Sequence, residues 1–222
     1  MKELDPYVYL FDSELNPQKL MNIERNARIC YKSEDRMGSD LSQGFLKRIL
    51  ANGHESVIEH EKVTVYFVVD RGVSHELVRH RIASFSQEST RYCNYEKDKF
   101  GKEISVITPF YYKNNSEAYN HWKDACESAE RAYLSLVSMS APQEARSVLP
   151  NSLKTEIAVT FNLREWRHFF SLRASAKAHP QMQQVTIPLL LMFKQRFSPL
   201  FDNIEYNISF PMEHYAEVKI IH

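Results

Sequence analysis

Glycine is scarce in this chain of 222 residues: only Gly38, Gly44, Gly53, Gly72 and Gly101 occur, none placed to build G-x-G-x-x-G or the phosphate-binding G-x-x-x-x-G-K. That excludes the usual cradle for a nucleotide, a glycine-rich turn at a helix N-terminus, and leaves arginine, histidine and amide side chains to hold any phosphate. Cysteine is scarcer still. Cys30, Cys93 and Cys126 lie far apart, are odd in number and form no C-x-x-C pair, which argues against a disulfide framework or a zinc knuckle and suits a reducing cytoplasm. Net charge is lacking too. Lysine plus arginine equals aspartate plus glutamate at 28 each, so nothing general favours nucleic acid or an anionic membrane as partner. No apolar run approaches the ~18 residues of a membrane span, and the N-terminal MKELDPYVYLFDSE carries acids and a proline where a signal peptide has an apolar core. The expectation is a cytoplasmic protein with neither membrane nor nucleic acid as partner.

What is present, 43% hydrophobic and 25% charged residues, suits one globular domain over residues 1–222 with a real core. Alternating β-branched and aromatic residues predict strands at Tyr7–Phe11, Lys62–Asp70 and Thr155–Asn162. Apolar residues at helical spacing predict helices over Gln18–Cys30, Ser42–Ala51, Val73–Arg81, Ser116–Ser138, Arg164–Arg173 and Pro180–Phe197. Ser140 with Gln143 three residues on reads as the cap of a further helix, Pro142–Leu149. Strands and helices do not alternate strictly, so the class is α+β. The stripe from Trp122 to Leu136 and the run Leu189–Phe193 read as core or subunit contacts.

Polar residues that periodicity does not explain gather at His54–His60, Arg79–Tyr92 and Arg146–Arg173. The middle segment, RHRIASFSQESTRY, interleaves Arg79, His80, Arg81 and Arg91 with serines and an amide. Guanidinium forks bind phosphate bidentately and neighbouring hydroxyls complete its oxygen shell, so this segment is built for an anion. His54 and His60 are six apart, which misses the four-residue spacing of a helical zinc site, and no metal is expected.

The pattern around the triplet is more telling than the triplet. Arg79-His80-Arg81 is followed after seven residues by Ser89, with Ala83-Ser84-Phe85 inside the window and Ser89-Thr90-Arg91-Tyr92 closing it. Upstream stands Gly53-His54-Glu55-Ser56-Val57-Ile58-Glu59-His60; downstream come Glu144-x-Arg146, Val148-Leu149-Pro150, Asn162-x-Arg164 and Leu172-Arg173. In this order and spacing the chain resembles the flavin-dependent thymidylate synthases (ThyX family) from about residue 53 to residue 184.

The resemblance implies a single domain of mixed helices packed on a small, mostly antiparallel sheet, assembled as a homotetramer with active sites at subunit junctions. It implies methyl transfer to dUMP, with FAD as cofactor and NADPH and 5,10-methylenetetrahydrofolate as co-substrates. FAD contacts would come from His54, Ser56, Arg79, His80, Arg81, Gln87, Asn162, Arg164 and His168. Those to dUMP would come from Glu76, Arg79, Gln87, Glu88, Ser89, Thr90, Arg91, Arg146 and Arg173. Arg173 and Ser89 are the catalytic candidates: Arg173 faces the uracil and favours ionisation at N3, while Ser89, with no histidine–acid set visible, is a phosphate or sugar contact. At Gln87 many relatives carry glutamate, and at His168 asparagine is frequent. A flavoprotein acting on another pyrimidine nucleotide is the nearest rival. A nucleic-acid module using the Arg79–Arg91 surface is a more distant one, opposed by the balanced charge.

Overall fold

The computed structural model describes residues 1–97 and 101–222. The long alternating segments form strands where expected: β2 is Tyr7–Phe11, β3 is Lys62–Asp70 and β6 is Lys154–Asn162. In β6 every second residue, Thr155, Ile157, Val159 and Phe161, is buried, which is the period of a half-covered sheet. Short strands complete the list: β1 (Lys2–Leu4), β4 (Ala83–Gln87), β5 (Ser105–Ile107) and β7 (Glu217–Ile221). Five strands order as β4-β6-β3-β2-β7, and β1 pairs with β5 in parallel. With α1 (Gln18–Tyr31), α2 (Gln43–Ala51), α3 (Arg71–Leu77), α4 (Ser116–Val137), α5 (Pro142–Ala145), α6 (Leu163–Arg173) and α7 (Pro180–Arg196), the chain is α+β.

Two local expectations, the helix over Val73–Arg81 and the Ser140-capped helix over Pro142–Leu149, are corrected. Helix α3 starts at Arg71 and ends at Leu77, so Arg79, His80 and Arg81 lie beyond it. Its start is fixed by Asp70, whose carboxylate accepts the Val73 N–H at 2.7 Å. The segment after the triplet is an edge strand, β4, in which Ala83, Phe85 and Gln87 turn inward and Ser84 and Ser86 outward. Ser140 is not a cap. Its hydroxyl donates to the Leu136 carbonyl at 2.9 Å, and α5 begins after Ala141, whose N–H donates to Glu144 at 3.3 Å. That helix lasts one turn and passes into a 3-10 turn, Arg146–Val148, in place of continuing to Leu149.

Contacts within the chain group residues 1–7, 67–79 and 86–158 into one compact unit and residues 8–66, 80–85 and 159–222 into another. The first is organised by α4. Cys126, Tyr133 and Val137 are buried with Tyr95, Ile104, Val106, Ala145 and Leu153, and Trp122 and Leu136 pack against them, so the predicted stripe is core. The second is built on aromatic rings. Trp166 of α6 lies 4.6 Å from Phe161 and 5.2 Å from Phe193 between ring centroids, and Phe193 lies 5.2 Å from Phe201. Trp166 also donates its indole N–H to the Val63 carbonyl at 3.0 Å, which satisfies the polar edge of a fully buried ring. Leu189, Leu190 and Phe193 of the apolar run in α7 are buried in the same unit. No helix among the described residues is long and apolar enough to cross a membrane.

Candidate active site

In the second unit the site is organised by the corner between β6 and α6. Asn162 is both the last residue of the strand and the helix cap, its side-chain oxygen accepting the Glu165 N–H at 2.8 Å. Helical spacing sends Trp166, Phe169 and Phe170 into the core and leaves Arg164, His168 and Ser171, at i, i+4 and i+7, on the outer face. These three line a groove of about 680 Å³ together with Asn162, Glu55, Glu59 and Ile82. Arg164, half exposed, donates to Glu59 at 2.5 Å, whereas Arg167 is buried against Glu55 at 3.0 Å and also donates to Asn203 and the Leu200 carbonyl. Arg167 is therefore held for structure, and Arg164 is the arginine that can exchange its partner. His54 and Ser56, both exposed, sit just upstream; the His54 ring hydrogen-bonds Tyr31 at 2.6 Å.

The triplet is divided by burial. Arg79 and Arg81 are exposed, whereas His80 between them is 5% exposed. Its Nδ1 lies 3.1 Å from a Glu165 carboxylate oxygen, and its Nε2 accepts a hydrogen bond from Arg173 Nε at 3.1 Å. Because arginine only donates, Nε2 must carry the lone pair and Nδ1 the proton, so the ring is neutral in one tautomer. Burial holds its pKa below the ordinary 6.5, and Arg173 and His168 push the same way against the bond and charge of Glu165. His80, Glu165 and His168 bring one ligand atom each within 4.8 Å, but both nitrogens of His80 already have protein partners, and His168 meets the His80 ring edge-on at 5.7 Å between centroids.

The depressed pKa gives a signed prediction. The unfolded chain takes up the His80 proton before the folded one does, so this stability is present above pH 6.5 and is lost as pH falls through that value towards the folded pKa. In melting curves between about pH 7.5 and pH 5, His80→Gln is expected to lose less stability on acidification than the unaltered chain. Equal slopes would mean that folding leaves the His80 pKa where it stands in the unfolded chain.

In the first unit, Gln87 through Arg91 form a second cluster. The Gln87 amide donates to Ser74 at 2.9 Å and Thr155 at 3.1 Å, so only its oxygen side is left to meet a ligand. Glu88 is taken up by the protein, paired with Lys154 at 2.9 Å and accepting from Tyr95 at 3.2 Å; burial, first, and Glu88 raise the Tyr95 pKa. Ser89 accepts the Arg91 N–H at 3.3 Å, and the exposed Arg91 guanidinium lies 5.6 Å from the Tyr92 ring. Arg146 reaches Thr90 at 3.4 Å, and the two line a cleft of about 340 Å³ with Arg71 and His75. Three cationic or protonatable side chains and a hydroxyl around so small a cleft suit a phosphate. Glu76 is half-buried at the end of α3 and does not line this cleft.

Cys126 is buried in the first unit's core, and burial pushes its thiol up to about 11.

The sequence profile of the Thy1 family, described as thymidylate synthase complementing protein, matches residues 10–198. The chain belongs to this family. Among its Thy1 relatives, the flavin-dependent thymidylate synthase of Corynebacterium aurimucosum is 37% identical over 194 residues, covering 82% of this chain and 78% of the relative. That of Geobacter sulfurreducens is 37% identical over 177 residues, 76% of this chain and 74% of the relative. Like them, this Thy1 member is an enzyme of the methyltransferase class.

Sequence reasoning missed Glu165, Arg167, Arg71 and His75. A sign was available for one of them: Arg71 directly follows the strand Lys62–Asp70, at the helix start that Asp70 caps. Glu165 is separated from His80 by 85 residues, and no local pattern marks such a pair.

Proposed function

We propose that this Thy1 protein is a flavin-dependent thymidylate synthase that converts dUMP to dTMP, with 5,10-methylenetetrahydrofolate as carbon donor and FAD, recharged by NADPH, as hydride source. The observation that carries the reading is the bond from Arg173 to His80. It ties the arginine that the resemblance assigns to the uracil to the histidine that it assigns to FAD.

The residues present fit a flavin. The groove in the second unit, about 680 Å³, lies within the usual range for ligand sites. It offers donors from Arg164, Asn162, His168 and Ser171. Its acids do not bar an anion, because the Arg164–Glu59 pair is about half exposed on both sides and is easily exchanged for a phosphate. When bound, FAD supplies the hydride and passes on the methylene carbon. The chain supplies binding and orientation. Arg79, Arg81, Arg164, Asn162, His168, Ser56 and His54 would hold the cofactor, and His80 would act through its bond to Arg173. Arg146, Arg91, Ser89 and Thr90 hold the nucleotide phosphate and sugar, with Gln87, Glu76 and Arg79 alongside, while Glu88 acts through Lys154 and Tyr95. Arg173 meets the pyrimidine and stabilises negative charge at N3 without giving up its proton. Residues 1–222 work as one catalytic domain in a cytoplasmic homotetramer, whose copies complete one another's sites.

The purified protein is expected to be yellow, with flavin absorbance near one FAD per chain. Anaerobic incubation with dUMP, methylenetetrahydrofolate and NADPH is expected to yield dTMP and tetrahydrofolate. A colourless preparation that also refuses added FAD would sink the proposal.

A further inference from the structure

We propose that Glu165 is a positioning residue: acting through His80, it sets the orientation of the Arg173 guanidinium and so the readiness of that arginine to meet its substrate. The inference rests on the reading that Arg173 acts on the uracil. Its foundation is a chain of three buried or half-buried side chains in one unit. Glu165 is 7% exposed, His80 is 5% exposed, and the two contacts, Glu165–His80 and His80–Arg173, are both 3.1 Å.

Glu165 and Arg173 occupy opposite ends of α6, eight residues apart, or about 12 Å along the axis. The imidazole that enters from the turn before β4 bridges their side chains. The ring has little freedom to turn, since it packs edge-on against Phe169 at 5.1 Å and near Phe161 at 5.9 Å between centroids. What remains to be decided is where its one proton sits. A carboxylate at Nδ1 accepts and cannot donate, so it selects the Nδ1–H form and leaves Nε2 as an acceptor. In the other tautomer Nε2–H would point at Arg173 Nε–H, donor against donor, and the guanidinium would swing away. In the doubly protonated ring the same clash is joined by repulsion between two cations. The Asn162 cap fixes the start of the helix that carries Glu165, so the selecting carboxylate is itself held in place.

The test has two readouts. Nitrogen NMR of the unliganded protein labelled in its histidines, with His80→Gln used to assign the signal, is expected to show pyrrole-type Nδ1 and pyridine-type Nε2 for His80. Glu165→Leu is expected to mix the tautomers and lower kcat about 10-fold with flavin content unchanged. Glu165→Gln keeps length and an acceptor oxygen, and is expected to restore the tautomer and all but about 3-fold of kcat. A cationic His80 or an Nε2–H tautomer in the unaltered protein overturns the inference. So does a Glu165→Leu variant with native tautomer or native kcat, or a Glu165→Gln variant as impaired as Glu165→Leu. If the unaltered protein makes no thymidylate, the functional reading fails while the tautomer readout still decides whether Glu165 governs His80.

Discussion

Arg173→Ala is expected to keep its flavin and to lose turnover by about 10³-fold, the effect of removing a preorganised donor from a site where charge develops. Single-turnover formation of dTMP from the flavin-loaded variant is the measurement, since it separates chemistry from binding and release. The size follows from what arginine offers. Its guanidinium stays protonated at any working pH, so it stabilises an ionised pyrimidine without protonating it. It is also aimed in advance by its bond to His80, and so needs no reorganisation during the reaction. Arg173→Lys keeps the charge but not the planar fork or the Nε contact, and should fall between the two. Wild-type rates of dTMP formation from Arg173→Ala would show that another group activates the uracil.

The second large effect belongs to the other cluster. Arg146→Ala is expected to raise the dissociation constant of dUMP by about 100-fold, the consequence of removing one cation from a phosphate that other groups have helped to desolvate. Flavin content should not change, because Arg146 belongs to the cleft with Arg71, His75 and Thr90 and not to the groove beside α6. Titration calorimetry with dUMP, set against deoxyuridine, reads the effect directly. The loss should be large for the nucleotide and absent for the nucleoside. An unchanged dissociation constant for dUMP would place the phosphate elsewhere.

The parts of the fold that could be read from the sequence share one property: a period sustained long enough to exclude alternatives. The nine residues of β3 and the 22 of α4 carry such periods, whereas the three-residue strands β1 and β5 cannot. Strand β4 escaped because its outward residues are serines and its inward ones include alanine and glutamine, so little hydrophobic contrast marks the alternation. The site follows the same logic. The Arg79-His80-Arg81 triplet announces itself, but written in a line it reads as three equivalent cations. The fold turns the middle one inward and makes it a neutral acceptor. That reversal depends on Glu165, Arg173 and two phenylalanine rings brought up from far along the chain, through tertiary packing that no local window contains.

One feature of the corner at Asn162 bears on how costly ligand capture is. The strand passes into the helix with no intervening residue, and the cap is the strand's own last side chain. Arg164, His168 and Arg173 therefore stand on a backbone that is already ordered before anything arrives. Ordering a loop would cost roughly 1–2 kcal/mol of entropy for each residue; here only side-chain torsions remain to be frozen, and more of the contact energy is left over as affinity.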